Sequence, residues 1–288
     1  MSNIAQVAAT MKLQSPVMAA TPPEMRNDAL ARIRQALLAH KDQIFAANAA
    51  DLAAAEESGV ADAIVKRLKF DEGKLAGVCE GISDLIVLDD PVGRVTLRRE
   101  LDEGLVLVRE TVPIGVIGVI FEARPDALVQ ISTLCLKSGN CAILKGGSET
   151  TSTNKALFEV IRAAAVEAGL PQGCLHQVEA REEIGELLAC DESVDLLIPR
   201  GSNQFVRYIM DHTRIPVMGH SSGLCHLYVD SSADVAMAVR IAVDAKTQAP
   251  STCNSVETLL VHRAAAPAFL PALASAMAAK GVELRGDE

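Results

Sequence analysis

The chain has 288 residues, 49% of them hydrophobic and 22% charged, with a formal net charge of −10; this is room for one large globular domain or two ordinary ones. The acidic balance argues against a nucleic-acid partner, which needs clustered Lys and Arg, but leaves room for a small anionic substrate held by local positive charge. No apolar run reaches eighteen residues and no basic segment precedes an apolar one at the N-terminus, so neither a membrane span nor a signal peptide is expected.

With six Phe, two Tyr and no Trp, the core must be filled by Ala, Val, Leu and Ile, which suits helices packed on a parallel sheet. Residues 1–88 read as helices. Thr21-Pro22-Pro23-Glu24 has the spacing of a capping box, and Ala29, Ile33, Leu37 and Leu38 recur at helical intervals after it. Further helices are expected over 40–57 and 72–88. The pattern changes at Asp89-Asp90-Pro91. Segments 95–101 and 105–112 are β-rich and flank Asp102-Glu103-Gly104, a three-residue turn, so a hairpin is expected. The residues alone leave open whether it pairs with another subunit's sheet edge or stands as a solvated flap.

From residue 114 a βα alternation begins. Ile114 to Phe121 is a continuous apolar run, the mark of a buried parallel strand, and Cys141 to Lys145 is a further strand. Helices are expected over 125–138, 152–168, 182–189 and 202–211. Further strands are expected over 175–178, 196–199, 216–218 and 226–229. A helix over 233–247 and a strand over 256–261 follow. Repeated βαβ units imply a doubly wound parallel sheet.

Such sheets bind ligands at the carboxyl ends of strands, beside helix N-termini. Two loops sit there: Lys145-Gly146-Gly147-Ser148-Glu149 and Arg200-Gly201-Ser202-Asn203. Neither is a GxGxxG fingerprint, and each could be an ordinary strand-to-helix connection. Cysteines stand at 79, 135, 141, 174, 190, 225 and 253. The odd number, without CxxC pairs, suggests reduced thiols in a cytosolic chain. Six lie mainly in apolar stretches and read as core. Cys253 lies in the polar loop Pro250-Ser251-Thr252-Cys253-Asn254-Ser255, where a thiol is either reactive or an incidental small residue. His220 and the pair Cys225-His226 match no common zinc spacing, so no metal is expected.

Five ordered blocks, VPIGVIGVIFEARPD (112–126), KSGNCAILKGGSET (137–150), LLIPRGS (196–202), GHSSGLCHLYVD (219–230) and PSTCNSVETLLVH (250–262), resemble the gamma-glutamyl phosphate reductases, a branch of the aldehyde dehydrogenase superfamily. The resemblance implies an aldehyde-dehydrogenase-like α/β fold: a doubly wound nucleotide-binding domain over 1–92 and 113–248, an oligomerisation hairpin over 93–112, and the start of a second α/β catalytic domain over 249–288. It implies a family that continues beyond residue 288. It also implies NADPH-dependent reduction of L-glutamate 5-phosphate to L-glutamate 5-semialdehyde and phosphate, a step of proline biosynthesis, in a cytoplasmic homo-oligomer. Cys253 is then the nucleophile, with Asn254 beside it. His220 stands where aldehyde-oxidising relatives carry a water-activating glutamate. Lys145, Gly146, Gly147, Ser148 and Glu149 form the cofactor-ribose loop, and Gly201 and Ser202 the pyrophosphate-side turn. Arg124, Arg200 and Lys137 are candidates for the substrate's phosphate and carboxylate. Two other readings remain: an aldehyde-oxidising enzyme of the same superfamily, and a non-catalytic nucleotide-binding or subunit-partner chain.

Overall fold

The computed structural model describes residues 4–122, 124–180, 183–219, 223–250, 252 and 254–286. It divides into two compact units, Met1–Gly219 and His220–Glu288.

Unit 1 opens with α1 (Ile4–Ala19), α2 (Pro23–Ala39), α3 (Lys41–Glu57), α4 (Asp62–Leu68) and α5 (Glu72–Val87). The capping box does not form. The N-cap of α2 is Pro22, and the Thr21 hydroxyl turns back to donate to the Val17 carbonyl at 3.1 Å, closing the end of α1 instead. A hairpin follows, β1 (Val95–Asp102) and β2 (Leu105–Glu110). Asp102 pairs with Leu105, so the turn has two residues rather than three, and Gly104 supplies the positive φ of +76° that such a turn needs. Every residue of both strands is exposed.

The sheet comes next in the chain. It consists of β3 (Val116–Ile120), β4 (Cys141–Lys145), β5 (Leu175–Val178) and β6 (Leu196–Pro199), with α6 (Pro125–Lys137), α7 (Thr151–Glu167) and α8 (Glu183–Leu188) between them and α9 (Asn203–Asp211) after. The strands are all parallel in the order β5-β4-β3-β6. β3 and β4 are buried at every residue, as expected of continuous apolar runs in a parallel sheet. The strand expected over 216–218 is a single bridge, Val217 to Leu197. α1 packs against β3 and β4, α6 against β4 and α7 against β5, while α2, α3 and α5 form an outer layer on α6 and α7.

Burial also sets one titration. Desolvation in β5 pushes the His176 imidazole below its ordinary 6.5, against a smaller upward pull from Glu183. Between the lowered value and 6.5 the unfolded chain holds a proton that the folded chain lacks, so stability rises with pH across that window and falls on acidification. Urea midpoints measured from pH 7 to pH 5 should therefore decline less steeply in His176→Gln than in the parent chain; identical slopes would remove His176 as the cause.

Unit 2 holds β7 (Cys225–Val229), α10 (Val235–Thr247), β8 (Val256–Val261) and α11 (Ala266–Ala278). The compact units part at 219/220, earlier in the chain than the expected start of a catalytic domain at 249. The reason is pairing: β7 runs parallel to β8, in register from Cys225 with Val256 to Val229 with Val261. α10 packs on α11 around Val229, Ala242, Phe269, Leu273 and Met277. Asp234 caps α10 by accepting from the Met237 amide at 2.6 Å. No described helix is long and apolar enough to cross a membrane.

Candidate functional site

In unit 1 the strand order reverses between β3 and β6, because β4 and β5 extend from one side of β3 and β6 joins the other. Open parallel sheets bind ligands in the crevice that this reversal makes at the carboxyl ends. Both glycine loops leave that edge. The Arg200 amide donates to the Ile120 carbonyl at 2.7 Å, so β6 and β3 leave the sheet side by side.

The Lys145 loop leaves β4 and enters α7. Lys145 is buried, and its ammonium donates to the Gly146 carbonyl at 2.6 Å. Gly146 is there because a Cβ would overlap the Asn154 side-chain amide. Gly147 is partly exposed, and Ser148 and Glu149 are exposed. The first turn of α7 is already occupied. Asp51 of α3, 8% exposed, accepts from the Ser152 amide at 3.1 Å and from the Thr153 amide and hydroxyl at 2.8 and 2.6 Å. An anionic ligand therefore cannot use those amides, although helix N-termini usually attract one.

The other loop keeps its helix start accessible. Gly201 has φ +156° and approaches the Glu122 carboxylate and the Phe205 ring, and a Cβ there would lie 2.8 Å from Glu122 Oε1. Ser202 caps α9, accepting from the Phe205 amide at 3.3 Å. Of the two loops, this one can offer backbone N–H groups to a pyrophosphate, and the Lys145 loop can offer a cation and a hydroxyl beside it.

The candidate cations separate. Arg124, the N-cap of α6, and Arg200 are exposed on loops after β3 and β6. Lys137 is at the opposite end of α6, some 20 Å away at 1.5 Å per residue, and is 5% exposed. Its ammonium donates to Asn27 Oδ1 at 2.8 Å and to the carbonyls of Ile86 and Leu88 at 3.2 and 3.0 Å. Its carbonyl accepts from the buried Arg26, which also pairs with Asp90 at the base of the hairpin. Lys137 thus closes the end of α5, with its ammonium held by three protein oxygens away from Arg124 and Arg200.

In unit 2, Cys253 and His220 lie outside the described residues. Asn254 is exposed, in a turn where the Ser255 amide donates to the Thr252 carbonyl at 3.1 Å. The described strands that follow the two segments are neighbours. Because Cys225 and Val256 are register partners in a parallel pair, the chain after His220 and the chain after Cys253 enter one sheet at the same edge. The buried cysteines behave as core. Desolvation raises Cys135 and Cys141 to about 12 and Cys174 to about 11, and raises Cys79 and Cys190 as well. Cys225, expected among them, is half-buried. Among the described residues no cluster of three or more His, Cys, Asp or Glu is placed to hold a metal.

Sequence reading missed Asp51 and Asn48, which join α3 to the Lys145 loop's helix. Asn48 donates to the Leu68 carbonyl and to Thr153 Oγ1, and accepts from the Phe70 amide. A signal existed: Ile44, Asn48, Asp51 and Ala55 are the buried positions of α3, at the 4-3-4 spacing of one helix face. Polar residues on an apolar face invite a search for partners.

The sequence profile of the aldehyde dehydrogenase family matches residues 2–284. A gamma-glutamyl phosphate reductase of Pelotomaculum thermopropionicum is 56% identical over 281 residues, 98% of this chain and 65% of its own length. The chain thus spans just under two thirds of that relative. The crystal structure of gamma-glutamyl phosphate reductase from Thermotoga maritima superposes with a TM-score of 0.93 at 34% identity, covering 99% of this chain and 70% of that one. The enzyme of the same name from Saccharomyces cerevisiae gives a TM-score of 0.72 at 40% identity, covering 98% and 71%.

Proposed function

Because the chain belongs to the aldehyde dehydrogenase family and, within it, to the gamma-glutamyl phosphate reductases, we propose that it carries the nucleotide-binding part and the nucleophile of an enzyme that reduces L-glutamate 5-phosphate with NADPH. The observation that carries the reading is the 56% identity to a gamma-glutamyl phosphate reductase, continuous over 98% of the chain.

The residues suit a nicotinamide dinucleotide. Gly146 and Gly201 stand where a side chain would collide, α9 begins at an accessible turn, and Lys145 offers positive charge at the end of β4. The dinucleotide, when bound, supplies the hydride. The chain's own residues do the rest. The Cys253 thiolate attacks the acyl carbon, the C–O bond to phosphate breaks and phosphate leaves, giving a thioester. Once reduced, the thiohemiacetal oxygen re-forms its carbonyl, the C–S bond breaks and the thiolate returns. The sum is acyl phosphate, NADPH and a proton giving aldehyde, NADP+ and phosphate. The Cys253 backbone N–H is a donor for the developing oxyanion. Arg124 and Arg200 are the remaining candidates for the substrate's anionic groups. His220, in place of a carboxylate base, would leave water unactivated and protect the thioester from hydrolysis.

The exposed hairpin suits a subunit contact. Val95, Leu97, Leu101, Leu105, Leu107 and Val108 are all at least 39% exposed, and a lone two-stranded ribbon is marginal in water. We place the enzyme as a homo-oligomer through 93–112, in a reducing, cytoplasmic compartment suited to an odd number of cysteines without CxxC pairs. The test runs the reaction backwards, with glutamate 5-semialdehyde, NADP+ and phosphate, following NADPH absorbance. A rate that rises and saturates with phosphate is expected. Turnover indifferent to phosphate would make the chain an aldehyde oxidiser, and no turnover under any phosphate concentration would leave it a binding subunit.

A further inference from the structure

Under the glycine loop lie two buried polar side chains that the chemistry above does not use, Thr150 at 0% exposure and Asn154 at 1%. Asn154 Nδ2 donates to Thr150 Oγ1 at 2.9 Å. Thr150 Oγ1 donates onward to the Gly147 carbonyl at 3.4 Å, and the Thr150 amide reaches the same oxygen at 3.4 Å. The Asn154 amide also fills the space beside Gly146 that a Cβ would need. A short relay thus runs from the first turns of α7 to both glycines. Its far end is incomplete: Asn154 Oδ1 is buried and has no hydrogen-bond partner among the described residues. An unpaired buried carbonyl is costly, and packing alone does not call for it, because leucine fills a similar volume without the unmet acceptor.

We propose that Asn154 is a positioning residue for the nicotinamide nucleotide. Through Thr150 it sets the height and tilt of the Gly146–Gly147 peptide, and so where Lys145 and Ser148 stand when the nucleotide's ribose reaches the loop. The inference rests on the nucleotide-binding role proposed above.

The experiment titrates the whole chain with NADPH by its fluorescence and records the melting temperature of each variant alongside. Asn154→Leu and Thr150→Val should each raise Kd about tenfold without lowering Tm. Because both break one relay, the double variant should be no weaker than either single one. Thr150→Ser keeps the hydroxyl and should bind within about twofold of the parent chain. A purely structural Asn154 predicts the opposite, affinity unchanged or lost only in step with Tm, and either result overturns the proposal. If Asn154→Leu does not fold, the Thr150→Val and Thr150→Ser pair reads the same relay. A parent chain that binds no nicotinamide nucleotide removes the functional reading and this inference together; a parent that binds, with variants that bind equally well, removes this inference alone.

Discussion

Replacing Cys253 by alanine is expected to lower phosphate-dependent NADP+ reduction by roughly 10^4-fold or more, while NADPH binding stays within about twofold of the parent. The reason is chemical. The proposed route needs one group that attacks an acyl carbon and later departs from it, and an ionised thiol does both. No buried thiol can take its place. Desolvation holds Cys135 and Cys141 at about 12 and Cys174 at about 11, so their thiolate population near neutral pH is negligible. Cys253 is therefore the thiol whose alkylation by iodoacetamide should track loss of turnover, with Cys79, Cys135, Cys141, Cys174 and Cys190 modified only after unfolding. Peptide mapping at half inactivation checks this. A Cys253→Ala chain that kept more than about a hundredth of the rate would end the assignment of the nucleophile.

The second large effect concerns Asp51. Asp51→Ala should cost about 3 kcal/mol of stability, since it strips the α3 carboxylate that caps the start of α7 and leaves two amides and a hydroxyl of α7 without their acceptor in a buried place. For a unit of this size that corresponds to a fall in Tm of roughly 6–12 °C. Asp51→Asn retains one acceptor oxygen and should lose about half as much. Calorimetry on the three chains provides the comparison. A loss below about 0.5 kcal/mol for Asp51→Ala would mean that the start of α7 finds other partners. Because α7 carries Asn154 and begins directly after Thr150, Asp51→Ala should also weaken NADPH binding, but there Kd and Tm should move together, unlike in Asn154→Leu.

Much of unit 1 was legible because its signals are local. β3 is a continuous run of apolar and glycine residues and β4 is apolar up to its last residue, Lys145, and such runs become buried parallel strands wherever helices cover both faces. The hairpin is marked by alternation around Asp102-Glu103-Gly104, although its turn has two residues rather than three because Asp102 pairs with Leu105. What escaped depends on partners distant in sequence. The compact units part at Gly219 because β7 pairs with β8, and a βαβ rhythm does not say which sheet a strand joins. The partners of Lys137 are not marked locally: the Asn27 side chain is 110 residues away, and the carbonyls of Ile86 and Leu88 are 51 and 49 residues away. Thr21 had a capping box's spacing, but its hydroxyl took the nearer carbonyl of Val17. Of the site, the two glycine loops were readable from composition alone, whereas Glu122, Asn154 and Asp51 act through contacts that composition does not mark.

The reach of that Asp51 contact bears on how the chain acquires its fold. A cap drawn from a helix's own sequence closes as the helix forms. This one comes from 101 and 102 residues upstream, so closing it means closing a loop of about a hundred residues against chain entropy. Such long-separation contacts form slowly and follow the collapse that brings α3 to α7. Until that contact closes, two amides and a hydroxyl at the start of α7, beneath the Gly146–Gly147 loop, lack their native acceptor. Nucleotide affinity would then appear only once the N-terminal helices have docked, and a newly made chain would gain its cofactor at the end of folding rather than on the way.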